Sequence, residues 1–151
     1  MRAQQGVFHV AQIELIARGI SRHRGKVLLC GHATKNYWYL PGGHVEPHES
    51  AAAALAREFL EETGLKVTVG PCVAVAEHIF RQGKKHRHEV NLVFHVKHRE
   101  KDARSLEPEI VFKWCRIDEL ETLDLRPAVA VDLVKLHPGE VRHFLWNSDQ
   151  S

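Results

Sequence analysis

Apolar and polar positions alternate loosely from residue 7 to residue 20, and the short run Val27-Leu28-Leu29 between Gly25 and Gly31 is wholly apolar. Both patterns predict strands. Asn36-Tyr37-Trp38-Tyr39-Leu40 is aromatic and extended, and Pro41-Gly42-Gly43 ends it, so a strand delivers the chain into a glycine loop. Ser50 suits a helix N-cap, Ala51 to Leu60 are strong helix formers, and Gly64 stands where a left-handed C-terminal cap belongs. This predicts a helix from about Ala51 to Thr63. Beyond it, residues 65–69, 72–80, 89–97 and 109–117 carry the Val, Ile and Phe enrichment of strands. Gly70-Pro71, Gly83-Lys84-Lys85 and a polar run over 98–105 separate them. A short helix is expected over 118–123 and a second over 127–136, with Pro127 near its first position and Pro138-Gly139 behind it. Strands flanked by helices make a mixed sheet with helices packed on it, an α/β fold.

Composition narrows the function classes. A chain of 151 residues, 44% apolar and 26% charged, has material for one domain and one core. Twenty-one Lys and Arg against nineteen Asp and Glu leave a formal charge of +2, too little for a protein that lives on nucleic-acid backbone electrostatics, so nucleic acid is disfavoured as a partner. Cys30, Cys72 and Cys115 are an odd number at wide spacing, without the pairing of a zinc site or disulfide framework, and point to a reduced, cytoplasmic setting. His9, Gln12 and Glu14 interrupt the one early apolar stretch, so neither a signal peptide nor a membrane span is expected. The histidines are scattered from His9 to His143 rather than clustered as a metal store would need. A homodimer stays open.

The stretch Gly43 to Leu65 carries the chemistry. At about 100° per residue, Glu61 and Glu62 fall on either side of Glu58, and three carboxylates share one helix face. Ala52, Leu55, Ala56, Phe59 and Leu60 are expected on the opposite arc, which would segregate core from chemistry. Like charges three and four residues apart destabilise a helix by a few tenths, about 0.2–0.5 kcal/mol per pair, so something should compensate them. A hard divalent cation does so, because Mg²⁺ takes oxygen ligands from carboxylates, water and phosphates. Ala51 and Ala54 leave space beside the acids, and Gly42 and Gly43 let bare backbone approach a metal or phosphate. Glu49 before the helix and Arg57 two turns on are in register for an ion pair, and the planar guanidinium of Arg57 also neighbours Glu61.

Gly43, Glu49, Arg57-Glu58, Phe59, Glu61-Glu62, Gly64 and Leu65, at their spacings, resemble the complete Nudix box G-x5-E-x7-R-E-U-x-E-E-x-G-U without substitution. Chance would give such a match on the order of once in 10⁹ starts. The resemblance is taken to span residues 6–140, with 141–151 as a C-terminal tail. It implies a Nudix-type α/β/α sandwich with a mixed central sheet and hydrolysis, with Mg²⁺ or Mn²⁺, of a nucleoside diphosphate linked to another moiety. On this chain it implies Glu58, Glu61 and Glu62 as catalytic and metal-binding residues, the Gly42 carbonyl as a further ligand, and Glu49 with Arg57 as a structural ion pair. Glu61 or Glu58 would be the general base.

A further carboxylate from a later segment is expected, with Glu109 preferred to Glu107 and Glu89 as competitor. Substrate contacts are expected from Trp38, as a base-stacking ring, and from Glu89. The tyrosine of the dinucleoside-polyphosphate branch and the proline of the ADP-ribose branch are replaced here by Arg81-Gln82-Gly83 and Phe80. The leading expectation is thus a pyrophosphohydrolase of a nucleoside triphosphate or small nucleotide derivative. The alternatives are a Nudix-fold nucleotide sensor without turnover and, more weakly, an RNA cap-removing enzyme.

Overall fold

The computed structural model of the chain describes residues 12–99 and 103–148. The elements are β1 (Ile13–Ile20), β2 (Arg22–His23), β3 (Lys26–His32), β4 (Trp38–Tyr39), β5 (Gly42–His44), α1 (Ala51–Thr63), β6 (Thr68–Gln82), β7 (Lys85–Lys97), β8 (Ile110–Arg116), a 3₁₀ turn (Ile117–Thr122), α2 (Ala130–Lys135) and β9 (Arg142–Asn147). One sheet has the order β5-β1-β7-β6-β9, mixed because β1–β7 and β6–β9 run parallel while β1–β5 and β6–β7 are antiparallel. In the second, β3 pairs antiparallel with β2, β4 and β8. The expected α/β sandwich with a mixed sheet is present.

Two apolar layers fix it. Ala17, Leu28, Ala54, Leu55, Phe59 and Val96 form the layer under α1, and the ring of Phe59 lies against the bare backbone of Gly19. On the other side Ile20, Val27, Leu29, Val73, Val93, Leu120 and Leu133 bury α2 and the 3₁₀ turn. β1 and β3 each send alternate side chains into both layers, as the period of two requires.

Several expectations change. Residues 68–69 and segment 72–80 belong to one strand, β6, while 65–67 form no strand, because Gly70-Pro71 is absorbed by bulges between Val69 and Cys72 and between Cys72 and Ala74 rather than ending it. The strand expected from 89 starts at Lys85, since Gly83 at φ 63° closes a tight hairpin and pairing resumes at once. The helix expected over 127–136 forms only from Ala130 to Lys135, and the Arg126–Pro127 bond is cis. Of residues 141–151, Arg142–Asn147 pair with β6 as β9 instead of trailing as a tail. The early part of the first expected strand, residues 7–11, and residues 100–102 of the polar run lie outside the described segments. No described helix is long and apolar enough to cross a membrane.

Because the Phe59 ring is about 1% exposed at the centre of the α1 layer, Phe59→Ala is expected to destabilise the fold by about 3–5 kcal/mol, measured by urea unfolding.

Candidate active site

The loop before α1 and the first turns of the helix are built as one unit. Ser50 caps the helix, its hydroxyl oxygen accepting from Ala53 N at 3.1 Å, and Gly64 ends it at φ 71° with its N–H on Leu60 O. Glu49 accepts from the Glu46 amide at 2.8 Å and from Arg57 Nη2 at 2.7 Å and Nε at 3.3 Å. The same guanidinium donates from Nη2 to His44 O at 3.1 Å and from Nη1 to Glu58 Oε1 at 2.9 Å and Glu61 Oε2 at 3.2 Å. The Arg57 hydrogen bonds hold the Glu49 carboxyl below the usual carboxylate range. Glu49 and Arg57 thus tie loop to helix, as a structural pair would.

Two glycines give the loop its position. Gly42 sits at φ 138°, where any side chain would place Cβ 2.0 Å from Ala17 O. At Gly43 a Cβ would stand 2.4 Å from Glu58 Cδ, so the Glu58 carboxylate rests directly on backbone. The Gly42 carbonyl, expected to face a metal, accepts from Arg18 Nη1 at 3.4 Å.

The carboxylates are less segregated from the core than helical geometry suggests. Leu60, expected to be buried, is 45% exposed, while Ala54 is buried. The buried stripe of α1 is Ala54, Leu55, Phe59 and Thr63, which puts Glu58 and Glu62 at its margin. The 106–107 segment closes over the helix C-terminus: Leu106 N donates to Glu62 O at 2.8 Å. Burial, then the neighbouring charges of Glu58, Glu107 and Glu61, push the Glu62 carboxyl up to about 7, against a smaller opposing effect of Arg18. Glu61 remains exposed on Arg57.

The donor set suits a hard divalent cation in its chemistry: carboxylate oxygens of Glu58, Glu61 and Glu62, crowded enough that one resists ionisation, beside a backbone with no side chain in the way. Among the described residues no three acidic, His or Cys side chains already converge on one point. Arg57 Nη1 stands between Glu58 and Glu61, bridging the two carboxylates.

The other expected residues scatter. Glu109 is exposed and stands 3.5 Å from His32, whereas Glu107 lies close enough to Glu62 to raise its pKa. Trp38 packs against the α2 layer, with Lys113 over its ring at 5.8 Å. Glu89 lies on β7 facing the α2 side, opposite Glu14 on β1 and His78 on β6.

Arg18 and Asn91 were not legible in the box. Arg18 Nε donates to Asn91 Oδ1 at 3.2 Å, and Nη1 donates to Leu40 O at 3.1 Å as well as to Gly42 O. Its signal was only a charged residue in a mostly apolar strand, flanked by Ala17 and Gly19. Asn91 is 5% exposed and its Nδ2 has no hydrogen-bond partner. An unpaired buried donor of that kind costs about 1–3 kcal/mol.

Known proteins share this arrangement. Residues 15–136 match the NUDIX domain. A CTP pyrophosphohydrolase of Escherichia coli K12 is 44% identical over 66 residues, which are 41% of this chain and 48% of that protein, so the match spans about half of that relative's length. An 8-oxo-dGTP diphosphatase of Buchnera aphidicola is 33% identical over 94 residues, 62% of this chain and 72% of that protein. In fold, the MutT protein of Bacillus halodurans is similar with a TM-score of 0.68 at 23% identity, covering 91% of this chain and 93% of that one. The domain match takes in the loop, the carboxylate helix, the second sheet and the first sheet apart from β9, and on that ground the chain belongs to the NUDIX hydrolase family.

Proposed function

We propose that the chain is a divalent-metal-dependent pyrophosphohydrolase, using Mg²⁺ or Mn²⁺, that cleaves a phosphoanhydride bond of a nucleoside triphosphate with water. The observation that carries this reading is the crowding of Glu58, Glu61 and Glu62 along α1 beside the side-chain-free loop Gly42-Gly43, with Glu58 and Glu61 held by Arg57. The nucleoside triphosphates in the names of the CTP and 8-oxo-dGTP relatives support the substrate class. When bound, the metal offsets negative charge developing on the phosphoryl oxygens and acidifies the attacking water.

The chain's own groups supply position. Glu58, pinned by Arg57 and backed by Gly43, is the fixed ligand. Glu62, half-buried among acids, is the ligand whose negative charge is least compensated by the protein alone. Glu61 is open to solvent and can take the proton of the attacking water at its carboxylate, with Glu58 as the other candidate. Arg18 holds the Leu40 and Gly42 carbonyls and so sets the approach of the loop to the phosphates. The substrate is a small molecule, and no membrane or nucleic-acid surface is needed.

Turnover of a nucleotide panel with Mg²⁺, followed by nucleoside monophosphate and pyrophosphate release, is expected to vanish in EDTA. It is expected to fall at least about a hundredfold in Glu61→Gln and Glu62→Gln at unchanged circular dichroism. Full turnover in both variants overturns the assignment, and tight nucleotide binding without any turnover makes the chain a sensor. Gly43→Ala is expected to fold normally yet lose most activity, because its new methyl group displaces the Glu58 carboxylate. Glu49→Gln is expected to speed hydrogen exchange of the Glu46 amide while leaving the β1 amides protected, read by mass spectrometry or NMR.

A further inference from the structure

Arg57, Arg87, Arg116 and Arg126 each meet a carboxylate within 3.0 Å. Arg18 does not. Its hydrogen bonds go to neutral oxygens only, from Nε to the Asn91 amide and from Nη1 to the Leu40 and Gly42 carbonyls. A guanidinium carries five N–H groups, and these contacts engage only those of Nε and Nη1. The hydrogens on Nη2 donate to no described residue. Nor is Nη2 shut away, for the buried unpaired side-chain atoms among the described residues are Glu14 Oε2, Arg87 Nε and Asn91 Nδ2. Arg18 is therefore a half-buried cation with a reachable donor edge and no carboxylate in contact.

The guanidinium is also aimed. From the second sheet the Tyr39 ring packs against it, with Arg18 Cζ 5.6 Å from the ring centroid. Tyr39 stands opposite Cys30 of β3 and their side chains meet, while the Tyr37 ring lies 6.2 Å away. Cys30 is about 1% exposed, so Tyr39 leans on a fixed wall. The ring holds the flat face of the guanidinium, and Asn91 and the loop carbonyls hold its rim. Because β1 belongs to the first sheet and β4 to the second, this contact crosses from one sheet to the other beside the Gly42-Gly43 loop. The Glu62 carboxyl of α1 feels the charge of Arg18 after burial, Glu58 and Glu107, which places the cation within electrostatic reach of the acids.

We propose that Arg18 receives the polyphosphate of the substrate, its Nη2 donating to a non-bridging phosphate oxygen, and that Tyr39 is the positioning residue that keeps it in that orientation. The inference rests on the phosphoanhydride reading above and names a group of this chain that touches the substrate. A cation kept half-buried without a carboxylate is costly until an anion completes it. Phosphate oxygens do so through charge-assisted hydrogen bonds, and a guanidinium already fixed at Nε and Nη1 loses little freedom in making them. Nη1 of the same group holds the Gly42 carbonyl, and the neighbouring Gly43 backs Glu58, so a phosphate on Arg18 is carried toward the acid face. Tyr39 acts through Arg18 alone.

The test titrates inorganic tripolyphosphate with Mg²⁺ by calorimetry into the wild type, Arg18→Gln, Arg18→Lys, Tyr39→Leu, Tyr39→Phe and the double variant Arg18→Gln/Tyr39→Leu. Mn²⁺ alone is titrated by electron paramagnetic resonance, and kcat and KM are measured on the nucleotide panel. Arg18→Gln is expected to weaken tripolyphosphate by about tenfold or more, as loss of a charge-assisted hydrogen bond does. Its Mn²⁺ binding is expected to hold or tighten, because a positive charge near Glu62 is gone; a residue that only braced the loop would lose both. Arg18→Lys keeps the charge without the fork and is expected to fall between. Tyr39→Leu is expected to cost about threefold and Tyr39→Phe, which keeps the ring, less than about twofold. In the double variant Tyr39→Leu is expected to add nothing. Unchanged tripolyphosphate affinity in Arg18→Gln, Mn²⁺ binding lost in step with it, a Tyr39→Leu effect that persists in the double variant, or no tripolyphosphate binding by the wild type at millimolar concentration overturns the proposal. Arg18-dependent binding in a chain that hydrolyses no nucleotide upholds it while removing the catalytic assignment. Turnover untouched by Arg18→Gln does the reverse.

Discussion

One guanidinium, that of Arg57, holds the site together. It donates to Glu49 from the loop, to Glu58 and Glu61 from its own helix and to the His44 carbonyl from β5, so a single planar cation joins three elements. No ammonium group could do this, because the donors must diverge in one plane to reach four acceptors. Without that cation, acids one to four residues apart on α1 would repel one another and the loop would have no tether. The loop geometry and the contact of Gly43 with Glu58 both presuppose it.

The strand beside the helix shows how the fold serves two faces at once. Ala17 and Gly19 are small on the α1 side, which lets the Phe59 ring and the glycine loop approach closely. On the opposite side the same strand carries Glu14 and Arg18, which look toward α2 and Asn91. The period of two therefore separates the packing of the catalytic helix from the polar cleft, although both are built on eight residues.

The helix, its caps and the Glu49–Arg57 pair were legible in the sequence because they are local: N-cap, C-cap and one ion pair within a few turns. What pairs across the sheets was not. Proline and glycine at 70–71 read as a strand end but sit in a bulge, since a bulge needs only one irregular residue pair and the flanking ladder continues. The 142–147 strand has no alternation clean enough to stand out, and its place comes from β6 beside it. Leu60 shows the limit of a helical wheel: the angle was right, yet which arc is covered depends on elements distant in sequence. Likewise Leu106 meets the helix end, which brings Glu107 near Glu62.

Arg18 touches both halves of the cleft, with one nitrogen on Asn91 and another on the loop carbonyls. A shared residue of this kind makes the two halves thermodynamically linked: whatever tightens the Asn91 contact biases the loop, and by reciprocity the occupied loop biases Asn91. Any change at Arg18 must therefore satisfy the Asn91 contact and the loop carbonyls in the same step.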